Sequence, residues 1–235
     1  MTMSTRNAFF SGFKDGLPFL VVYVPFAMLF GVVATEAGLN VAQVMGMSVL
    51  VIAGAAQFTA VSQIADAAPV GIVIITALAV NIRMAMYSAA LVPYLGGAPF
   101  WKRAFAAYLL VDQTYVMGVS KYENEPDMSV SARYAYFFGI ISHLAPVWYA
   151  STFLGAYLGA SIPDAFALDF AVPITFVAMT APLLKSLAHI GAALTSVALA
   201  LALSGLPYGT GLLIAAVIAM CVGAFIETRM NLVRR

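Results

Sequence analysis

Residues 69–94 read PVGIVIITALAVNIRMAMYSAALVPY, and this one stretch decides the class of fold. Its only charge is Arg83. As an α-helix it is about 39 Å long, enough to cross a hydrocarbon core about 30 Å thick, which takes roughly 20 apolar residues. The run has no strict apolar/polar alternation, so it is not a strand of a transmembrane barrel. In hydrocarbon a helix also satisfies its own backbone groups. Outward from it the pattern repeats. Upstream lie apolar runs over 17–37, opened by Pro18 and interrupted by Pro25, and over 41–65, which holds the cluster Ala53-Gly54-Ala55-Ala56-Gln57. Downstream, Gly96-Gly97-Ala98-Pro99 breaks the chain, and Lys102 and Arg103 precede a fourth run ending near Ser120. Further runs cover 134–159, 165–184, a short 188–203, and 208–226.

The composition agrees. A soluble domain is about 45 to 50% apolar and about 25% charged, whereas this chain of 235 residues is 63% apolar and 9% charged, with a mean hydropathy of +0.97. The expected fold is an all-α polytopic membrane protein of about seven or eight helices, some broken by Pro or Gly. It forms a single transmembrane domain over 1–235, with 1–16 as a cytoplasmic N-terminal segment and 121–133 as the longest loop. The polar start runs directly into a span without an A-x-A-like site, so no cleaved signal peptide is expected. Cys221 stands alone, which excludes an intrachain disulfide and a multi-cysteine metal site.

Lys and Arg near span ends favour the cytoplasm. Arg6 and Lys14 put the N-terminus inside an inner or plasma membrane, and Arg229, Arg234 and Arg235 ask the same of the C-terminus. Eight full crossings would leave Lys102 and Arg103 outside, so one segment is expected to be re-entrant or half-length, either around Gln57 or the short seventh run. The pattern Asp15-Gly16-Leu17-Pro18 with Pro25 recurs in character as Asp169-Phe170-Ala171-Val172-Pro173 with Pro182. Proline-interrupted spans in two halves are a pointer to an internal repeat in transporters.

A charge at the bilayer centre costs about 2.5 to 3.5 kcal/mol on insertion scales, so Arg83 and Asp112, read as mid-span, need a reason. They are either an ion pair locking two helices, or the lining of a substrate path, or a pair that exchanges partners during transport. Asn81 lies about 200° from Arg83 around a helix, whereas Tyr87, one turn on, shares its face. Gly54 and Gln57 offer a close-packing notch beside an amide. Pro18 and Pro25 lie on one face two turns apart, and Pro25 leaves the Val21 carbonyl without its helical partner. His143 is a candidate proton relay or a packing histidine. Lys185, Glu36, Glu227 and Arg229 sit at span ends. No phosphate-binding loop, H-E-x-x-H or G-x-S-x-G motif is present, so no enzyme activity and no cofactor are expected.

Taken together, Gly16-Leu17-Pro18, Pro25-Phe26-Ala27 with Phe30-Gly31, Ala53-Gly54-Ala55-Ala56-Gln57-Phe58, Asn81-Ile82-Arg83 with Tyr87-Ser88-Ala89, and Asp112-Gln113-Thr114 resemble the AzlC/YgaZ family. These are large subunits of branched-chain amino acid exporters. The resemblance covers almost the whole chain, with its specific motifs in the first half. It departs at Met84, where the family has histidine, and at Gln113, where an acidic residue often follows the aspartate; both bear on substrate identity. The resemblance implies export of leucine, isoleucine, valine or methionine, with a small AzlD/YgaH-like membrane partner, and coupling to an ion or proton is a separate expectation. On physical grounds the substrate-binding or transport path is expected to pass Pro18, Pro25, Gly54, Gln57, Asn81, Arg83, Asp112 and Gln113. The competing expectation is a non-transporting subunit in which Arg83 and Asp112 only fix assembly.

Overall fold

The computed structural model describes residues 3–159, 184, 186–206 and 210–233. The sixth expected span, the second-half proline pattern, Lys185, Arg234 and Arg235 lie outside them. Every regular element among the described residues is helical: α1 Thr5–Gly16, α2 Leu20–Glu36, α3 Val41–Leu50, α4 Gly54–Ala65, α5 Val70–Leu95, α6 Phe100–Tyr108, α7 Asp112–Asn124, α8 Val130–Gly159, α9 Leu187–Ala202 and α10 Thr210–Val233. Among the described residues, four stretches are long and apolar enough to cross a membrane: Thr5–Glu36, Val70–Leu95, Val130–Gly159 and Thr210–Met230. The chain is thus a polytopic α-helical membrane protein, and the large apolar side chains left on its surface, such as Ile75, Leu78, Ile82 and Met86 along α5, form a surface suited to lipid.

The chain divides into two compact units. The first comprises Met1–Ser62 and Val80–Pro163. Its frame is α8 with α1 and α2 laid against it, and glycines let the backbones touch. A Cβ on Gly12 would strike the Tyr136 carbonyl and one on Gly139 the Phe9 carbonyl; Gly31 and Gly155 stand likewise against the Thr152 and Met28 carbonyls. Small residues at membrane helix interfaces permit this approach. α1 and α2 meet at a 3-10 turn, Leu17–Phe19, that takes up Pro18. Pro25 is accommodated inside α2.

Two of the apolar runs are not continuous helices. The second is split at 51–53 into α3 and α4, and the fourth at 109–111 into α6 and α7. Helix ends leave backbone groups without partners, and neighbouring side chains supply them. The Tyr108 hydroxyl, at the end of α6, donates to the Val49 carbonyl at 2.6 Å in the last turn of α3. Thr114 closes the start of α7, accepting from the Val111 N–H at 3.0 Å and donating to its carbonyl at 2.8 Å. The expectation of one half-length segment near Gln57 is met by α3 and α4, and the 109–111 break is a second such place.

The polar stretch 121–133 is not a loop for its whole length, because α7 runs to Asn124 and α8 starts at Val130. Lys121 and Glu125 pair at 2.7 Å, and the buried Tyr122 donates to the Arg133 carbonyl at 2.9 Å, so helical turns hold on both sides of a short connection. Residues 5–16, expected as a plain segment before the first span, are helical and capped by Ser4, which accepts from the Asn7 N–H at 3.2 Å.

The second unit comprises Gln63–Ala79 and Asp164–Arg235. There Gln63 donates to Thr76 at 3.2 Å. α9 and α10 pack through small residues, with a Cβ on Gly223 falling 3.1 Å from that of Ala192.

Candidate transport site

Arg83 and Asp112 meet. The guanidinium Nη1 lies 3.2 Å from the Asp112 carboxylate, with the two side chains 34% and 36% exposed. Arg83 comes from the middle of α5, as the sequence implies. Asp112 does not lie mid-helix; it is the first residue of α7, just after the break. A carboxylate there is favoured by the unpaired N–H groups of the first turn and by the helix dipole. Neither partner is saturated: the Arg83 Nε and the Asp112 Oδ1 are buried without a hydrogen-bond partner.

Aromatic side chains surround the pair. Tyr87, one turn beyond Arg83, lies against Asp112 and stacks on Tyr115 of α7, with ring centroids 4.1 Å apart and planes 9° from parallel. The buried Tyr23 of α2 donates to the Gln113 Oε1 at 3.1 Å and meets Trp148 of α8 edge-on at 5.5 Å. Trp148 and Phe26 cover the start of α4, where a Cβ on Gly54 would come within 2.6 Å of Phe26 and 2.9 Å of Trp148. A contiguous path of contacts therefore runs from Gly54 through Trp148, Tyr23 and Gln113 to the residue beside Gln113, Asp112.

Gln57 is fully buried, and its amide donates to Ser48 Oγ at 3.0 Å, tying α4 to α3 across the break. Its Oε1 is left without a partner, as are the Trp148 Nε1 and the Thr152 hydroxyl. Asn81 does not join Arg83. α5 is unbroken there, which keeps Asn81 about 200° around the helix, and its Oδ1 is buried and unpartnered. Pro18, in the turn before α2, and Pro25, inside it, make no side-chain hydrogen bond by their nature. His143 packs edge-on to Phe13 at 4.6 Å and over Gly16, with both ring nitrogens buried and unpartnered. Among the described residues no three His, Cys, Asp or Glu side chains converge as metal ligands would.

The arrangement offers a cation and an anion that already neutralise one another, each with a buried polar atom unused, at a helix break walled by aromatic rings. Tyr23, Tyr115 and Trp148 are the members that sequence reasoning missed. Tyr23 alone carried a signal, standing two residues before Pro25 in the proline-interrupted span.

Comparison with known proteins bears on the same segment. The family model described as AzlC protein matches residues 18–162. The inner membrane protein YgaZ of Escherichia coli is 27% identical over 175 residues, covering 72% of this chain and 70% of that protein. An uncharacterized membrane protein of Archaeoglobus fulgidus is 28% identical over 208 residues, covering 86% of this chain and 87% of its own. One from Helicobacter pylori is 26% identical over 179 residues, covering 74% and 76%. No solved structure matches.

Proposed function

Because the chain belongs to the AzlC family of membrane proteins, we propose that it is a secondary transporter exporting branched-chain amino acids, with methionine as a further substrate. It would act with a small AzlD/YgaH-like membrane subunit. The observation that carries the reading is the Arg83–Asp112 pair, 3.2 Å apart and about one third exposed, on a broken helix. An amino acid zwitterion has one carboxylate and one ammonium. It can enter such a pair by exchange, its carboxylate replacing Asp112 on Arg83 and its ammonium replacing Arg83 on Asp112. One opposite-charge contact becomes two and each protein charge keeps a partner, so no unpaired charge is left in a poorly solvated site, which is the costly outcome.

The remaining parts fit that exchange. The first turn of α4, beginning at Gly54, presents N–H groups of the kind that receive a carboxylate at broken membrane helices. The Val21 carbonyl loses its helical partner to Pro25, but Val21 and Pro25 lie on the exposed face of α2, so the ammonium is left to Asp112. Phe26, Trp148 and Tyr23 supply apolar surface for an aliphatic side chain. Asp112 is the proton carrier if proton entry drives export, since protonation removes the anion that holds the ammonium.

Efflux of labelled leucine, valine and methionine, from cells stripped of their own exporters and expressing the chain with and without the small subunit, tests the reading. Export above control that is lost in Arg83→Ala supports it; an inserted complex with no efflux of any of the three overturns the substrate. An Asp112→Asn variant that keeps full proton-dependent export removes the proton role from Asp112. A structural pair is the second reading, favoured by the same 3.2 Å contact. The doubly swapped Arg83→Asp, Asp112→Arg variant separates them, because a lock tolerates reversal better than a binding site does.

A further inference from the structure

A groove of about 320 Å³ lies among the C-terminal half of α5, α6 and the beginning of α8. Leu91, Leu95, Ala107, Leu110 and Phe137 give it apolar walls, no acidic side chain lines it, and Arg103 is its only cation. Arg103 lies toward the end where α6 begins; Ser88 and Leu110 lie toward the other. The Tyr134 hydroxyl at the first end is engaged, donating to the Leu95 carbonyl at 3.1 Å. Arg103 is exposed and makes no ion pair among the described residues. Beside it, Phe100 and Trp101 are exposed, and the Lys102 ammonium lies 5.4 Å from the Trp101 ring centre. Aromatic and basic residues together are the composition of a membrane–water boundary. The groove therefore starts at headgroup depth and runs inward along α5.

We propose that this groove is a binding site for a phospholipid with an anionic headgroup, its phosphate against Arg103 and one acyl chain along the Leu91–Leu95 wall. A free phosphate has no use for the apolar walls, and a helix of another chain, about 10 Å across, is too wide for a space of this volume. The inner end abuts the 109–111 break, because Leu110 belongs to it and Ser88 adjoins Tyr87. A bound chain thus braces the segment that carries Asp112. The site stands whether or not the transport reading holds, and its test reads binding alone.

The test is native mass spectrometry of the full chain in mild detergent, titrated with phosphatidylglycerol or with phosphatidylcholine of the same acyl chains. Wild type is expected to prefer the anionic lipid about fivefold, the factor contributed by one basic side chain at an anionic headgroup. Arg103→Ala and Arg103→Gln are expected to lose the preference while still taking up lipid, and Ala107→Trp, which fills the groove and keeps the cation, to lose both. Thermal unfolding of each variant identifies which of them are folded. Equal binding of the two lipids by wild type, binding of neither, preference surviving in a folded Arg103 variant, or wild-type binding by folded Ala107→Trp would each overturn the proposal.

Discussion

Removing the two charges one at a time should have unequal consequences. At 3.2 Å the attraction between Arg83 and Asp112 is about 5 kcal/mol at an effective dielectric of about 20 and about 1.3 kcal/mol in bulk water. Side chains about one third exposed lie toward the wetter limit, so a coupling of about 1 to 3 kcal/mol is expected. The singles differ because the partners left behind differ. Arg83→Ala leaves Asp112 on the first turn of α7, where the helix end itself returns about 0.3 to 1 kcal/mol to an anion. Asp112→Ala leaves a guanidinium in the middle of α5 with no counter-charge, a position worth about 2.5 to 3.5 kcal/mol against insertion. Discounted for side chains that are about one third exposed, Asp112→Ala should destabilise by about 2 kcal/mol and Arg83→Ala by about 1, a sum that matches the coupling when the double variant is neutral. The double Ala variant should lie close to wild type, since replacing a whole pair by apolar groups is often neutral. The assay is reversible unfolding in mixed micelles on the four members of the cycle. Additive singles would refute the coupling, and Arg83→Ala being the worse of the two would refute the role given to the α7 terminus. Under the proposed exchange the double variant is stable yet transports nothing.

Other substitutions probe the frame and the breaks. Gly155→Ala pushes a methyl into the Met28 carbonyl, whereas nothing lies within 4 Å of a Cβ on Gly46. The first should lose about 3 kcal/mol or more, beyond the usual overpacking range of about 1 to 3, and the second should change stability little, compared by the same unfolding assay. Tyr108→Phe strips the Val49 carbonyl of its donor and should cost about 1 to 2 kcal/mol, with faster amide exchange confined to the end of α3. Gln113→Glu keeps an acceptor for the Tyr23 hydroxyl, so folding is expected to be retained, as read by the unfolding midpoint, while any change in efflux ranking among leucine, valine and methionine reports on specificity.

The membrane class was legible from 69–94 alone, and Arg83 and Asp112 stood out because charge is scarce in hydrocarbon. Their pairing was one of several open readings. A break near Gln57 was anticipated from the small-residue cluster that opens at Ala53, whereas the break at 109–111 was not. Val51-Ile52-Ala53 and Leu109-Leu110-Val111 contain no Gly or Pro and have the apolar composition of a continuous span. Two of the contacts at the breaks are tertiary, a tyrosine from α6 on an α3 carbonyl and Gly54 admitted between two rings, and the third, Thr114 on Val111, is local. β-branching at 51, 52 and 111 is only a weak local preference. In 121–133 the polar residues suggested a loop, but charges one turn apart pair across helical turns as readily as they solvate a connection. Tyr115 and Trp148 were hidden among aromatic residues that make up 12% of the chain, where nothing local separates a ring facing lipid from one facing a site, and Tyr23 had only its nearness to Pro25 to mark it.

The glycine contacts between α1, α2 and α8 also set the mechanics of the first unit. Where main chain rests on main chain, no side chain is available to switch rotamers and absorb a displacement, so sliding would drive a carbonyl into the opposing backbone. These helices behave as a chassis. Deformation is left to joints where the ladder of backbone hydrogen bonds is already interrupted, at 51–53 and 109–111. One of those joints bears Asp112 and the other lies beside Gly54. The parts free to pivot are thus the parts on which the proposed exchange relies, and under that proposal stiffening either joint should arrest transport without loosening the frame.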